Sequence, residues 1–373
     1  MDGPSTDGPS TDGPSMDRPR TDGPSTDGPS TDDETEEREE RRMDEAPAVL
    51  YVRGLSVRFL MPRGREVAAV NDVSFDLAPG ECLALVGESG CGKSVLTSAL
   101  LGLLPANART RGTAQLRGRA DGSPSGTRAA DPVELLTASD EELARRVRGR
   151  LVGLVPQSPA AHLTPVRSVR SHLEETVREL TDTPRTRLRE AAEVAAARAA
   201  FPADHLDRYP HQLSGGLAQR AATALALVAD APLLIADEPT TGLDRDLVDR
   251  TVAELRRHAD AGHALLVITH DLAAAERIAD RVAVMYAGRI VEIAPARDFF
   301  GTPGPRHPYA RGLLEALPER SFTPIPGLPP ELDALPGGCA FAARCHLATE
   351  RCAALPELTD GVACHHAPEP ADA

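Results

Sequence analysis

The sequence has no tryptophan, 3% aromatic residues and a single lysine, Lys93, among 41 basic side chains. It has no apolar run near the roughly 18 residues that a membrane-spanning helix needs. It also has no basic and then apolar N-terminus of the kind that marks a secretory signal. The net charge of −15, with no basic patch interleaved with aromatics, argues against a nucleic-acid partner. We therefore expect a cytoplasmic chain that binds no nucleic acid.

The acidity is concentrated in residues 1–46. Residues 1–30 are six pentads of the form Thr/Met-Asp-Gly-Pro-Ser, one of them altered, and a Glu/Arg-rich run follows. Residues 1–46 carry 15 acidic and 5 basic side chains, so only −5 of the net charge of −15 belongs to the rest. Because this segment has few apolar side chains to bury, we predict a disordered acidic repeat tail. A docking role and a translation start at Met43 are the alternatives.

The single lysine stands in a phosphate-loop pattern, G-x-x-x-x-G-K-[ST]. Its eight residues are Gly87, Glu88, Ser89, Gly90, Cys91, Gly92, Lys93 and Ser94. The apolar run 82–86 predicts a buried strand before the loop, and residues 94–104 predict a helix after it. Glycines at such a junction let backbone N–H groups face phosphate oxygens, and a lysine ammonium supplies a compact counter-charge. The pattern therefore predicts a nucleotide, with Mg²⁺ at the Ser94 hydroxyl; Cys91 is a variable position expected to contribute only backbone.

Four further segments follow the phosphate loop. An apolar strand at 233–237 ends in Asp237, and Glu238 comes next, so that one carboxylate can hold Mg²⁺ and the other can orient or deprotonate water. The segment 213–217, Leu-Ser-Gly-Gly-Leu, precedes a helix predicted to begin near Ala218 and is a second phosphate-facing surface. His270 follows a buried strand at 264–269, where it could reach a γ-phosphate. Gln157 follows the apolar run 151–155.

In this order the segments resemble the ATPase subunit of ABC transporters, over residues 48–366. The resemblance implies an α/β fold: a P-loop NTPase core of the ABC type with an antiparallel β subdomain and a helical subdomain. It implies a nucleotide-binding domain over residues 47–300, with the helical subdomain at about 158–225. Residues 301–373 would form a small Cys-rich C-terminal extension.

The resemblance also implies residue roles. It makes Glu238 the catalytic carboxylate, His270 the switch histidine and Gln157 a catalytic glutamine. ATP would be bound by the phosphate loop and by a further set of residues: Phe59 under the adenine, Asp237, Ser214, Gly215, Gly216 and Asp244. The ligands implied for Mg²⁺ are Ser94, Gln157 and Asp237. Taken alone, His270 would be a core histidine, Gln157 a surface residue, Asp244 a turn residue and Phe59 an aromatic packed at a strand end.

Four of the six cysteines cluster near the C-terminus, as Cys339-x5-Cys345-x6-Cys352-x11-Cys364. Because thiols stay reduced in the cytoplasm, four clustered cysteines favour a metal site over disulfide bonds. Their spacing matches neither a zinc ribbon nor a bacterial ferredoxin closely. His307-Pro308-Tyr309 followed by this segment resembles the extension of oligopeptide and dipeptide importer ATPases. That resemblance implies a [4Fe-4S] cluster; Zn²⁺ and unmetallated packing cysteines stay open. Cys82, in a predicted buried strand, is expected in the core.

The function implied by the resemblance is ATP binding and hydrolysis that powers a membrane ABC importer, for dipeptides or oligopeptides. The subunit would lie peripherally at the cytoplasmic face of the cell membrane. Its expected partners are a second ABC ATPase subunit, two transmembrane permease subunits and an extracytoplasmic substrate-binding protein. The alternatives are a nickel-importer ATPase of the same branch, a soluble ABC ATPase of translation or DNA repair, and a regulatory module that binds nucleotide without turnover.

Overall fold

The structure is a computed structural model that describes Met1 and residues 48–118 and 131–368. The predicted acidic tail therefore lies, apart from Met1, outside the described residues. The strands are β1 Leu50–Leu60, β2 Glu66–Leu77, β3 Cys82–Val86, β4 Ala108–Leu116, β5 Val133–Glu134, β6 Val152–Val155, β7 Leu233–Asp237, β8 Ala264–Thr269, β9 Arg281–Tyr286 and β10 Arg289–Pro295. The helices are α1 Lys93–Leu100, α2 Asp140–Glu142, α3 Pro159–His162, α4 Val169–Leu180, α5 Leu188–Arg198, α6 Gly215–Ala226, α7 Arg245–Asp260, α8 Leu272–Ile278, α9 Ala296–Phe300 and α10 Pro308–Glu315.

A six-stranded sheet forms the centre, in the order β10-β9-β3-β8-β7-β6. All neighbours pair in parallel except β9 and β10, which are antiparallel. Every residue of β3, β7 and β8 is buried, as continuous apolar strands of a parallel sheet require. Cys82, at the start of β3, is fully buried, so its predicted place in the core is confirmed. The carboxyl ends of β3, β6, β7 and β8 meet at one edge.

A second, antiparallel sheet has the order β2-β1-β4-β5. Its inward side chains share one apolar cluster with the central sheet, in which Leu50 and Val57 of β1 meet Leu83 of β3 and Ile268 of β8. The predicted combination of a parallel core and an antiparallel subdomain is therefore what the chain forms. This shared core fixes the position of β1 relative to the loop that follows β3.

Helices α4, α5 and α6 form a third part with its own apolar cluster. Val169 and Leu173 of α4 pack there with Ala192 of α5, with Phe201 in the segment after α5 and with Ala221 of α6. In the chain segments that the structure describes, 48–118 and 131–368, no helix combines the length and the apolarity that crossing a bilayer demands. These helices span residues 169–226, and the division of the chain into domains, with a helical subdomain at about 158–225, stays a prediction.

Two predicted helix boundaries were wrong. Helix α1 ends at Leu100 rather than continuing to residue 104, because Gly102 has a left-handed φ of 63° and terminates it. Helix α6 begins at Gly215 rather than near Ala218. The Ser214 hydroxyl accepts a hydrogen bond from the Leu217 amide at 3.3 Å, so the serine caps the helix and both glycines form its first turn.

Candidate nucleotide-binding site

The phosphate loop is closed by its own lysine. The Lys93 side chain is buried, and its Nζ donates to the Gly87 carbonyl at 2.7 Å and to the Glu88 carbonyl at 3.1 Å. Gly87 and Gly92 have φ values of 155° and 109°. A Cβ at either residue would lie 2.2 Å from a backbone oxygen, of Met285 or Ala69. These two glycines are thus required by close backbone approach, and the lysine holds the loop in a tight ring.

A hydroxyl and a carboxylate meet at the start of α1. Ser94 Oγ donates to Asp237 Oδ1 at 3.5 Å, across the gap between α1 and the end of β7. Burial raises the pKa of Asp237, and the bond from Ser94 partly opposes that rise. Both groups are oxygen donors of the kind that Mg²⁺ prefers, and a cation there would offset the cost of a buried carboxylate. Ser94 and Asp237 therefore suit the ion chemically. Gln157, the third predicted ligand, is exposed just after β6, and its role stays a prediction.

Glu238 and His270 pair directly. His270 Nδ1 lies 2.7 Å from Glu238 Oε2, and the imidazole is exposed while the carboxylate is buried. The Glu238 amide donates to the Ile268 carbonyl at 2.7 Å, which ties β7 to β8. Glu238 has a left-handed φ of 50°. Such a conformation costs about 1 kcal/mol in a residue with a Cβ and is concentrated at functional sites. The geometry can hold and orient a water molecule beside a phosphate.

The other predicted loops are differently placed. Ser214 and Gly215 are exposed, whereas Gly216 is buried and a Cβ there would lie 2.3 Å from Leu247 Cδ1. Asp244 is exposed and caps α7, where its Oδ1 accepts from the Leu247 amide at 3.0 Å. The hydrogen bonds that the structure gives Ser214 and Asp244 are therefore helix caps. Their roles at a nucleotide stay predictions.

Phe59 and Cys91 have neighbours that explain them without a nucleotide. Phe59, one residue before the end of β1, is half-buried against the shared apolar core. Cys91 is buried in the same core, and burial raises the pKa of its thiol. The packing alternative accounts for Phe59 here, and its adenine role stays a prediction. Cys91 packs inward, as a variable loop position can.

Sequence reasoning missed two residues that hold the phosphate loop from the far end of the chain. Arg344 Nη1 lies 2.8 Å from Glu88 Oε2, and its Nη2 lies 3.0 Å from Glu88 Oε1. The Glu88 amide donates to the hydroxyl of Tyr309 at 2.9 Å. Both residues stand in motifs that the sequence displays, His307-Pro308-Tyr309 and the segment between Cys339 and Cys345. The motifs mark these positions, but a contact over some 256 residues of chain has no local signal.

The four C-terminal cysteines lie near one another. Burial raises the pKa values of Cys339, Cys345 and Cys364, and neighbouring thiols of the group raise each of them further. Four thiols are a donor set that suits iron–sulfur chemistry or zinc. Within residues 48–118 and 131–368, however, no group of three or more His, Cys, Asp or Glu side chains is arranged to hold a metal ion. The arrangement does not support the predicted cluster or zinc.

The site and the sheet order define a phosphate-loop α/β nucleotide-binding protein. A family model described as ABC transporter matches residues 70–241, and one described as oligopeptide/dipeptide transporter, C-terminal region, matches residues 291–352. A peptide import ATP-binding protein of Brucella melitensis is 40% identical over 335 residues, covering 85% of this chain and 95% of the relative. The oligopeptide transport ATP-binding protein OppD of Escherichia coli is 38% identical, covering 85% and 91%. The chain belongs to the ABC transporter family, as its motifs predicted.

Solved structures confirm the fold class. The dimeric post-hydrolysis structure of the ATP-binding cassette MJ0796 bound to ADP and Pi has a TM-score of 0.57 and 23% identity to this chain. It is covered over 99% of its length and matches 66% of this chain. A further relative by sequence, the dipeptide transport ATP-binding protein DppD of Bacillus subtilis, is 38% identical over 80% of this chain and 86% of its own length. The predicted ABC-type core is therefore present.

Proposed function

We propose that this chain is the subunit that binds and hydrolyses ATP to power a membrane importer of dipeptides or oligopeptides. The relatives named for peptide, oligopeptide and dipeptide transport support the substrate class. The match of residues 291–352 to the C-terminal region of oligopeptide/dipeptide transporters supports it independently. ATP hydrolysis fits the family to which the chain belongs.

The observation that carries the proposal is the meeting of five groups at one sheet edge. Lys93 and Ser94 come after β3 and its loop. Asp237 is the last residue of β7, Glu238 follows it, and His270 follows β8. In this proposal Lys93 and the glycine amides bind the β- and γ-phosphates, while Ser94 and Asp237 hold Mg²⁺, which would neutralise phosphate charge. Glu238 takes up a proton from, or orients, the attacking water, and His270, at 2.7 Å, fixes its carboxylate.

The proposal includes a second ATPase subunit, two permeases and an extracytoplasmic substrate-binding protein. The exposed Ser214 and Gly215 would complete the site of the partner ATPase rather than their own. ATP can drive closure of such a pair only insofar as it binds the closed pair more tightly than the open one. The helical part, about residues 158–225, would pass that motion to the permeases at the cytoplasmic face of the membrane.

The change Glu238→Gln tests the hydrolytic role. We expect ATP binding, measured by calorimetry with Mg²⁺, to be retained while phosphate release slows by at least about 100-fold, since the amide cannot accept the proton. Glu254→Gln is the matched control, because Glu254 is a carboxylate as buried as Glu238, at 8% exposure each. Full activity of Glu238→Gln would remove this carboxylate from the base role. No heat of ATP binding by the folded wild type would overturn the proposal.

Substrate class is tested in proteoliposomes that contain the chain, its partner ATPase and the co-purifying permeases. We expect uptake of a labelled dipeptide or oligopeptide that depends on ATP and on Lys93. Uptake of Ni²⁺ without peptide uptake would assign the nickel branch instead. Uptake of neither substrate, with ATP hydrolysis that the permeases leave unchanged, would favour a soluble ABC ATPase.

A [4Fe-4S] cluster on the four C-terminal cysteines is a separate part of the proposal. Its support is the set of four thiols and the resemblance of this segment, while the described residues 48–118 and 131–368 show no arrangement that forms a metal site. Protein purified without oxygen should be brown, and the colour should be lost in Cys345→Ser. A colourless preparation containing zinc would assign zinc, and one without metal would leave packing cysteines.

A further inference from the structure

Glu88, the second residue of the phosphate loop, directs its carboxylate away from the loop and toward the C-terminal region. Both carboxylate oxygens are bound by Arg344, at 2.8 and 3.0 Å. The Arg344 side chain is 5% exposed and the Glu88 side chain 28% exposed, so the pair is largely shielded from water. A bidentate arginine–carboxylate pair fixes both distance and orientation, which a single contact does not.

The backbone of Glu88 is held as well. Its amide donates to the hydroxyl of Tyr309, a side chain that is completely buried, and its carbonyl accepts from Lys93 Nζ at 3.1 Å. Burial raises the pKa of the Tyr309 hydroxyl, so it stays protonated and neutral. One residue thus links the lysine expected at the phosphates to two residues more than 200 positions later in the chain.

The two holding residues are themselves fixed. The carboxylate of Glu292 on β10 accepts from the amides of Arg306 and His307, both at 2.8 Å. His307 Nδ1 then accepts from the Tyr309 amide at 3.0 Å, which sets the first turn of α10. Arg344 is held by its Nε, which donates to the Pro326 carbonyl at 2.8 Å. The supports therefore lie on packed elements and not on a loose tail.

We propose that Arg344 and Tyr309 are positioning residues for the phosphate loop, so that the C-terminal region after β10 sets the affinity of the site for ATP. The inference rests on the proposed ATP binding and goes beyond it, because neither residue is expected to touch nucleotide. Backbone amides bind phosphate only when the loop presents them in one conformation. A loop that is free to take other conformations binds phosphate more weakly, because only the fraction of molecules in the competent conformation can bind.

The first experiment compares Arg344→Gln with the wild type as full-length protein. We expect the Kd for a fluorescent ATP analogue with Mg²⁺ to rise about tenfold, with KM for ATP rising in parallel and kcat at saturating ATP largely kept. Arg344→Lys keeps the charge but not the fork and should recover only part of the affinity. Arg351→Gln, at an exposed arginine of the same segment, is the matched control and should bind like the wild type.

A double-mutant cycle separates positioning from general destabilisation. Glu88→Gln should weaken ATP binding about as much as Arg344→Gln, and the double change should weaken it no further, because one contact is lost in each case. If Arg344→Gln does not fold, Tyr309→Phe carries the test, with an expected rise in Kd of about threefold. Folded variants with the wild-type Kd, or additive losses in the cycle, would overturn the inference. A folded wild type that binds no ATP would instead overturn the proposed function.

Discussion

The two glycine-containing loops of this chain differ in how much of the chain surrounds them. The phosphate loop, 87–94, has a buried lysine, two glycines pressed against backbone oxygens and a glutamate gripped by Arg344. The loop around Ser214 has one buried glycine against Leu247, an exposed serine that caps a helix and an exposed Gly215. Contacts within the chain surround the phosphate loop, whereas the loop around Ser214 has such contacts only on the side that faces α7.

The conformations of the two loops are determined by different contacts. Contacts within the chain fix the phosphate loop, so substitutions there should alter nucleotide binding in an isolated subunit. For the loop at 213–217 the chain fixes only the helix behind it, so the exposed residues should matter when a partner subunit is present.

Lys93→Arg should produce the largest loss. The ammonium is buried and donates to two loop carbonyls, and the bulkier planar guanidinium cannot occupy that space with the same bonds. We expect kcat/KM for ATP to fall about 1,000-fold, equivalent to about 4 kcal/mol, in the assembled pair, and ATP binding by the isolated subunit to weaken as well. Phosphate release and ATP titration measure it. An arginine variant with wild-type turnover would show that the loop tolerates a wide cation and would break the contrast.

Acid should destabilise α7, which carries Leu247 against Gly216, and the start of α10, which carries Tyr309. Burial lowers the pKa of His258 on α7 to about 4, helped by the nearby His263, and burial lowers that of His307 beside α10 to about 4 as well. Each imidazole is neutral in the folded chain and protonates near pH 6.5 when unfolded. Its contribution to the free energy of unfolding is therefore complete above pH 6.5 and lost as pH falls toward 4.

The loss should approach roughly 3 kcal/mol for each histidine between pH 7 and pH 4. Urea unfolding at several pH values measures it. His258→Phe should flatten the pH dependence by about half, because the imidazole stacks flat on His263 at 4.1 Å and a phenyl ring can replace it. His307→Asn should do the same while keeping an acceptor for the cap of α10. Unchanged acid sensitivity in both variants would assign the effect to other groups.

Sequence predicted well the parts that depend on local pattern. Continuous apolar runs predicted β3, β7 and β8 because a strand buried on both faces has no polar alternation. Lys93, Asp237 and His270 lie at one edge because the carboxyl ends of parallel strands share it, whereas the roles that the motif order implies for them stay predictions. Prediction from local pattern failed at the end of α1, because Gly102 terminates the helix within a continuing apolar run. It also failed at the start of α6, because Ser214 caps the helix and Gly215 and Gly216 form its first turn.

The remaining features could not be predicted because they are long-range pairings. Glu88 sits at a variable position of its motif, and only the folded chain shows that Arg344 binds it. His307-Pro308-Tyr309 resembles a family motif, but its structural role, in which His307 caps α10 and is itself held by Glu292, depends on contacts that have no local signal in the sequence. The cysteine spacing suggested a metal, and the structure neither arranges such a site in residues 48–118 and 131–368 nor supports one.

Gly215 and Gly216 allow the one-sided loop to be tested with adjacent alanines. Gly216→Ala should lower the free energy of unfolding by about 1–2 kcal/mol, because its Cβ would press on Leu247 at 2.3 Å. Gly215→Ala meets nothing within 4 Å and should leave stability unchanged or raise it by a few tenths of a kcal/mol. Thermal unfolding compares the two.

The same pair separates structure from function. If Gly215 faces the nucleotide of a partner subunit, Gly215→Ala should slow turnover of the assembled pair while leaving ATP binding by the isolated chain intact. If both alanines lower the free energy of unfolding equally, then Gly215 is also packed within the chain and the contrast between the two loops is wrong. Normal turnover by the assembled Gly215→Ala pair would remove that residue from the shared site.

Substitutions at Asp244 separate a role in capping a helix from a role toward a partner subunit. Its carboxylate caps α7 through the Leu247 amide at 3.0 Å, so Asp244→Ala should cost about 1 kcal/mol of stability in thermal unfolding. Asp244→Asn keeps a capping oxygen and should fold like the wild type, since both residues cap well. A role at the subunit interface needs more than a cap, because only the aspartate carries charge to a partner. If the asparagine variant is as stable as the wild type but turns over ATP more slowly, the exposed carboxylate acts beyond its own helix. If turnover follows stability in both variants, the carboxylate is a helix cap alone.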